Sequence, residues 1–321
     1  MSFNRRNFLK NSMMGAAAVA ASQVALSSCC NAQKCDTEKK EAGIVPLNLS
    51  FQESILGDMP LNEKLDYMEQ LGVVGLEVGG NGLAGRVQEL QDALKGRKIK
   101  ISAICSGFQG FMLSTDPKIY DQFVTTYKEI IAAAGQLGSV GVIMVPGFNN
   151  QVPARPHTLE TRAWLVERLR EYGEFAAQNN TTIILEPLNR GEAFYLRQVG
   201  DAASICRDTN SKGVTCMGDF WHMTIEENCD YGAFFSASGH LSHVHMASRG
   251  TRSFPGVDGD KDCYINGFKA LQQMKYPNYV SFECGWGYKD DRKVAAANAV
   301  KLLNEQWEKA AQIASCCCHQ A

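Results

Sequence analysis

Between residues 44 and 312 the chain switches eight times from a short apolar run to a longer amphipathic stretch. This alternation limits the available folds more than any single motif does. The apolar runs begin near Val45, Val73, Ile99, Val140, Thr181, Val214, Leu241 and Asn278. Amphipathic stretches lie at 61–71, 83–94, 117–137, 159–177, 198–207, 226–235, 262–274 and 292–313. In the third, Tyr120, Phe123, Tyr127, Ile130, Ile131 and Ala134 recur at three- and four-residue steps, which is one face of a helix. Thr158 stands where the fourth needs an N-cap, and Gly72, Gly96 and Gly138 stand where left-handed caps end helices. Strands alternating with helices, about 33 residues apart, imply a parallel sheet with right-handed crossovers. A count of eight favours closure into a single (β/α)8 barrel, whose usual length of about 250 residues suits this segment. No G-x-G-x-x-G follows the first run, which speaks against a dinucleotide-binding sheet.

The flanks read differently. Asn4-Arg5-Arg6-Asn7-Phe8-Leu9-Lys10 is a paired-arginine segment, followed by a run of small and apolar residues and then Leu26-Ser27-Ser28-Cys29. A charged start, a short apolar stretch and small residues before a cut site describe an export signal over residues 1–28. The segment resembles a bacterial twin-arginine signal ending in a lipobox. That implies lipidation of Cys29, a periplasmic or cell-envelope location, and membrane contact only through that anchor. Residues 29–43 are polar and charged and read as a flexible tether. Of the twelve cysteines, six lie in the leader, the tether and the Cys-rich tail at 313–321. The other six are scattered and form no C-x-x-C pair, so zinc-ribbon and thioredoxin chemistry lack support. A net charge of −2 gives no general pull toward nucleic acid.

Four of the apolar runs end in a metal-ligand type of residue. Ile183-Ile184-Leu185 runs into Glu186 and Pro187, and Pro187 stops the ladder because it has no N–H to donate. Thr215-Cys216-Met217-Gly218 ends in Asp219, Leu241-Ser242-His243-Val244 in His245, and Tyr279-Val280-Ser281-Phe282 in Glu283. In a TIM barrel the C-terminal strand ends face one mouth, where active sites lie. Strands five to eight would then aim Glu186, Asp219, His245 and Glu283 at the same half of that mouth. Three carboxylates and one imidazole suit Mn²⁺, Mg²⁺ or Co²⁺, with Zn²⁺ the remaining candidate. His243, two residues before His245, faces the same way one layer deeper.

At these residues the chain resembles the xylose-isomerase-like TIM barrels. Leu185-Glu186-Pro187-Leu188-Asn189-Arg190-Gly191-Glu192, Gly218-Asp219-Phe220-Trp221-His222, His243-Val244-His245-Met246 and Ser281-Phe282-Glu283-Cys284 carry the resemblance. It looks closest to the sugar phosphate isomerase/epimerase family, which includes ketose 3-epimerases and hydroxypyruvate isomerases. The resemblance implies one divalent metal held by Glu186, Asp219, His245 and Glu283, with the two glutamates shuttling a proton. It implies substrate contacts from Glu192, His222 and an arginine after the metal histidine. That arginine is Arg249 or Arg252, and Arg252 is preferred because Phe254-Pro255-Gly256 follows it. Relatives of this kind often pair, so the resemblance admits a homo-oligomer.

The chemistry asks for such residues on its own account. Abstracting a proton next to a carbonyl creates an enediolate, whose negative charge a divalent cation stabilises as a Lewis acid. Two carboxylates on opposite faces of a sugar can remove a proton from one side and return it to the other. Glu77, at the tip of the second run, holds a sugar hydroxyl or is solvated, and Trp221 faces the C–H side of the ring or packs beneath a loop. No Arg or Lys cluster marks a phosphate site, which points to an unphosphorylated sugar or sugar derivative. A lyase or dehydratase acting on a keto-sugar, keto-glycoside or keto-inositol would use the same metal and base but expel a β-leaving group. An exported lipoprotein that only binds sugar is a third reading, against which two opposed bases argue. The multi-zinc endonucleases of the same barrel family carry extra histidines, and the matching stretches Ala103–Ser106, Met144–Gly147 and Asp258–Asp260 contain none.

Overall fold

The computed structural model describes residues 45–317; the expected export signal and tether, and residues 318–321, lie outside the described residues. Eight parallel strands close into a barrel in chain order. They are β1 (Asn48–Gln52), β2 (Gly75–Gly79), β3 (Lys100–Cys105), β4 (Val142–Met144), β5 (Ile183–Leu185), β6 (Val214–Asp219), β7 (Leu241–Met246) and β8 (Tyr279–Phe282). Hydrogen bonding between β1 and β8 closes the ring. The helices that cover it are α1 (Leu61–Gln70), α2 (Val87–Leu94), α3 (Pro117–Gln136), α4 (Leu159–Gln178), α5 (Val199–Thr209), α6 (Phe220–Glu226), α7 (Asp230–Ser236), α8 (Ile265–Gln273) and α9 (Arg292–Cys317). Thr158 caps α4 by accepting the Thr161 N–H at 3.2 Å, and Gly72, Gly96 and Gly138 are left-handed. Among the described residues no helix is long and apolar enough to cross a membrane.

One element departs from the sequence reading. A single helix is expected over 226–235, but two short ones occur, and α6 starts directly at the tip of β6. The reason is Asp219: its Oδ1 accepts the Trp221 N–H at 2.7 Å, so the strand's last side chain is also the helix N-cap. Glu227 ends α6 in an extended conformation, and its carboxylate accepts the Val199 N–H.

Two apolar layers follow from the strand period of two. Outward-facing strand residues pack against the helices and form the main core. Inside the barrel Ala103, Ile143, Ile184 and Met217 form a separate, fully buried cluster on β3 to β6. The side of the interior built by β7, β8, β1 and β2 is polar instead, with Ser50, Gln52, Glu77, His243 and Ser281 all buried. Register shifts at Leu76/Glu77 and at Cys216/Met217 adjust both sides of this half. The second shift brings Asp219 into register with His245. Bulges of this kind commonly re-aim side chains beside active sites.

Candidate metal centre and active site

The four strand tips converge. Glu186, Asp219 and Glu283 place carboxylate oxygens within 4.8 Å of one another, together with a ring nitrogen of His222. His245 Nδ1 lies 3.2 Å from Glu186 Oε1 and 3.1 Å from Glu283 Oε2. In an octahedral shell with metal–oxygen bonds of about 2.1 Å, neighbouring donors stand about 3 Å apart, so these separations match shell edges. All four side chains are nearly or fully buried.

Two further observations show that this donor set fits a divalent cation. Asp219 is fully buried, its Oδ1 is used by the α6 cap, and its Oδ2 has no hydrogen-bond partner among the described residues. Arg252 Nη2 at 3.6 Å and His222 Nε2 at 3.5 Å face this oxygen without hydrogen-bonding it, which leaves a buried carboxylate oxygen open to a further cation. The second is the environment of His245. Burial works against a charge on this ring, but Glu77 and Glu283 outweigh it and raise its pKa well above the usual imidazole range. A field that holds a proton at Nδ1 so firmly also favours a metal ion there.

The carboxylates are not equivalent. Burial, with the charge of Glu283 beside it, pushes Asp219 up to about 6. Burial also raises Glu186. Burial would raise Glu283 too, but the charge and hydrogen bond of His245, with Arg252, outweigh it and hold its carboxyl down at about 2. Opposite shifts on two nearby carboxylates are the pattern found where one is to give a proton and the other to take one.

The remaining expected residues divide into those at the mouth and those elsewhere. Arg252 is at the mouth: its Nη2 donates to Glu283 Oε2 at 2.6 Å and lies 3.6 Å from Asp219 Oδ2, and its Nη1 lies 3.5 Å from Glu192 Oε1. Its guanidinium sits between the rings of Trp221 and Trp286, at 4.5 and 4.8 Å. Its backbone is left-handed (φ 54), an uncommon state for arginine that turns the side chain back over the barrel. Arg249 points elsewhere, paired with Asp230 and bonded to Thr224 and the Cys263 carbonyl. His222 is buried, its Nδ1 receives the Asn189 backbone N–H at 3.1 Å, and its Nε2 faces Asp219 Oδ2 at 3.5 Å. Burial lowers its pKa, so the ring is neutral with its Nε2–H directed at the site. Glu192 is half-exposed and tied to Asn189 at 3.0 Å.

Glu77 does not stand where a substrate hydroxyl would reach it. It is 1 % exposed, and its oxygens are taken up by Gln52, His243 and His245. The barrel interior is narrow enough at this layer that side chains fill it, so the acid meets its neighbours across the lumen before any ligand. Trp221 is part-buried and packs its ring on Arg252 and edge-on to His222, so its face is already covered by the guanidinium. Two site residues escaped the sequence reading. Asn189 joins Glu192 to His222, and Gln52 donates to both Glu77 and Glu283. The only signal for Asn189 was its place within the Leu185–Glu192 motif, and Gln52 had none.

Known proteins resemble this chain over most of its length. The profile of the xylose isomerase-like TIM barrel matches residues 65–306. The 3-dehydro-D-guloside 4-epimerase of Escherichia coli is 28% identical over 239 residues, covering 73% of this chain and 88% of that one. The L-ribulose 3-epimerase of Mesorhizobium japonicum is 30% identical over 210 residues, covering 64% of this chain and 67% of its own. The crystal structure of an E. coli 3-keto-D-glucoside 4-epimerase superposes with a TM-score of 0.72 at 25% identity, covering 81% of this chain and 100% of that one. These relatives are sugar epimerases, and a 22% identical 2-oxo-tetronate isomerase of Cupriavidus necator extends the range to isomerases. The match over residues 65–306, with the closed eight-stranded barrel, places the chain in the xylose isomerase-like TIM barrel family.

Proposed function

We propose that the protein is a divalent-metal-dependent sugar epimerase or isomerase that moves a proton next to a carbonyl, with Glu186 and Glu283 as the acid/base pair. The observation that carries this reading is the arc of donors on β5 to β8, with the two glutamates at its ends and Asp219 and His245 between them. Glu186, Asp219, His245 and Glu283 would hold the ion, and the ion would supply Lewis-acid stabilisation of an oxyanion on the substrate. The chain's own groups do the rest. A sugar seated between Glu186 and Glu283 presents opposite faces to the two carboxylates. One removes the proton beside the carbonyl, and the other returns one from the far side. His222, with its Nε2–H aimed at the site, and Arg252 provide hydrogen-bond donors to substrate oxygens. Glu192 accepts from a hydroxyl. The relatives named for keto-glycosides and ketoses make an unphosphorylated keto-sugar or keto-glycoside the favoured substrate class.

A panel of ketoses and keto-glycosides incubated with Mn²⁺-loaded protein in D₂O tests this. Deuterium should appear at the carbon next to the carbonyl, together with an epimer or isomer of the substrate. Exchange accompanied by loss of a β-substituent would mean elimination instead, and no exchange with any sugar would leave only binding.

Arg252→Lys gives a narrower check. Lysine keeps the charge but loses the planar contact with Trp221 and Trp286 and the fixed donor to Glu283. A charge-assisted hydrogen bond contributes about 1.5–3 kcal/mol, so kcat/KM should drop by roughly ten- to a hundredfold. Wild-type kinetics in this variant would remove Arg252 from the site.

A further inference from the structure

The polar half of the barrel interior holds a second titratable cluster directly beneath the proposed metal centre. Glu77 Oε2 lies 2.8 Å from His243 Nε2, and both Glu77 oxygens lie within 3.1 Å of His245 Nε2. Gln52 Nε2 donates to Glu77 Oε1 at 2.8 Å and to Glu283 Oε1 at 3.2 Å. Glu283 returns to His245 Nδ1 at 3.1 Å. The contacts close a ring: Glu77, His245, Glu283, Gln52 and back to Glu77. Every member is buried.

We infer that Glu77 is a positioning residue for the metal centre: its carboxylate fixes the orientation and tautomer of His245 and, through Gln52, the orientation of Glu283. The inference rests on the metal-dependent reading above. His243 Nδ1 has no hydrogen-bond partner among the described residues, so its proton sits on Nε2, facing Glu77. His245 likewise turns its Nε2–H to Glu77, so a cation that displaces the Nδ1 proton would meet the Nδ1 lone pair between Glu186 and Glu283. That is the tautomer a ligand imidazole needs, and an outer carboxylate on the opposite ring nitrogen is how metal-binding histidines are commonly set. Two imidazole N–H groups and one amide N–H take up both Glu77 oxygens, and at 1 % exposure the carboxylate is closed to substrate. The register shift at Leu76/Glu77 falls on the residue that must be aimed inward. A wholly buried acid is expensive to keep in a barrel interior, and a cation on the far side of His245 gives the expense a return.

The test is Mn²⁺ binding by titration calorimetry to wild-type, Glu77→Gln and Gln52→Met proteins, with melting temperatures taken in chelator. Glu77→Gln keeps the shape but removes the negative charge and one acceptor. It should weaken Mn²⁺ binding about 10- to 100-fold, the usual effect of losing such an outer partner. Saturating Mn²⁺ should then recover most of kcat with KM unchanged, the remaining deficit coming from the weaker hold of Gln52 on Glu283. Gln52→Met should weaken Mn²⁺ binding less and lower kcat even at saturating metal, because Glu283 loses its tether. It also keeps the inference testable if Glu77→Gln does not fold. Unchanged Mn²⁺ affinity in a folded Glu77→Gln protein, with only a lower melting temperature, would make Glu77 a packing residue and overturn the inference. If wild-type protein binds no Mn²⁺, Mg²⁺ or Co²⁺, the metal reading itself fails, and that outcome is separate from the variant-to-wild-type ratio.

Discussion

Glu186→Gln and Glu283→Gln should each slow interconversion of the sugar by about 10²–10⁴-fold, the usual worth of a positioned proton-transfer group. Glutamine has the same shape and can still offer a carbonyl oxygen to the cation, so loss of metal need not accompany loss of base. Metal content measured on each variant separates the two. The positions of the carboxylates add a sharper expectation. Each sits at one end of the donor arc, so each variant keeps one base on one face of the sugar. In D₂O each variant should still exchange the proton of the one epimer whose C–H faces the surviving carboxylate, without converting it. The double variant should exchange neither, and its deficit should be well short of the product of the two single deficits, because the residues act as a unit. Interconversion at the wild-type rate in both single variants would end the acid/base assignment.

Removal of divalent ions should have the second-largest effect. Chelation is expected to abolish turnover and lower the melting temperature, with recovery on adding Mn²⁺, Mg²⁺ or Co²⁺. A ligand present at 100 times its Kd stabilises the folded state by about 2.7 kcal/mol, so the shift should grow with metal concentration. The pH dependence has a definite sign. Asp219 is pushed up to about 6 by burial and by Glu283, and burial raises Glu186 too. Below about pH 6 a proton therefore occupies Asp219 and competes with the cation, and above it the carboxylate is free to bind. Metal affinity should rise with pH through about 6 and go on rising above it, because the cation must also displace the His245 proton, which is held well above the usual imidazole range. Calorimetry in buffers of different ionisation enthalpy would count the protons released. An affinity independent of pH between 5 and 7 would show that Asp219 is not a ligand.

The convergence of four polar strand tips was legible in the sequence because each of those residues stands at or beside a strand end. Strand side chains alternate with a period of two, so a ligand at a strand tip and its inward orientation can both be read locally. This placed Glu186, Asp219, His245 and Glu283, and also put His243 one layer below His245. The neighbours of those residues were not legible in the same way. Glu77 was also expected at a strand tip, holding a sugar hydroxyl or solvated. Its partners His243 and His245 lie 166 and 168 positions away, across the lumen, and only barrel closure brings them within hydrogen-bond reach. Gln52 shows no local pattern at all, yet it links Glu77 to Glu283. Asp219 was expected as a ligand but not as a helix cap, and the cap moved the following helix to the strand tip.

The sequence alone determined the eight-fold alternation, the closed barrel it implies, and the four strands whose tips carry oxygen and nitrogen donors. Periodicity and chain stiffness act within a few residues, and those features need nothing more. Tertiary structure decided which loop arginine joins the site. Arg249 and Arg252 follow the same strand, and the sequence favoured Arg252 only through the Phe254-Pro255-Gly256 turn after it. Asp230, Thr224 and the Cys263 carbonyl, brought in from α7, α6 and the segment before α8, take Arg249 away. The left-handed backbone at Arg252 folds that guanidinium back between Trp221 and Trp286, onto Glu283. A charged side chain goes to whichever partners the surrounding elements supply, and those partners come together only once the chain has closed on itself.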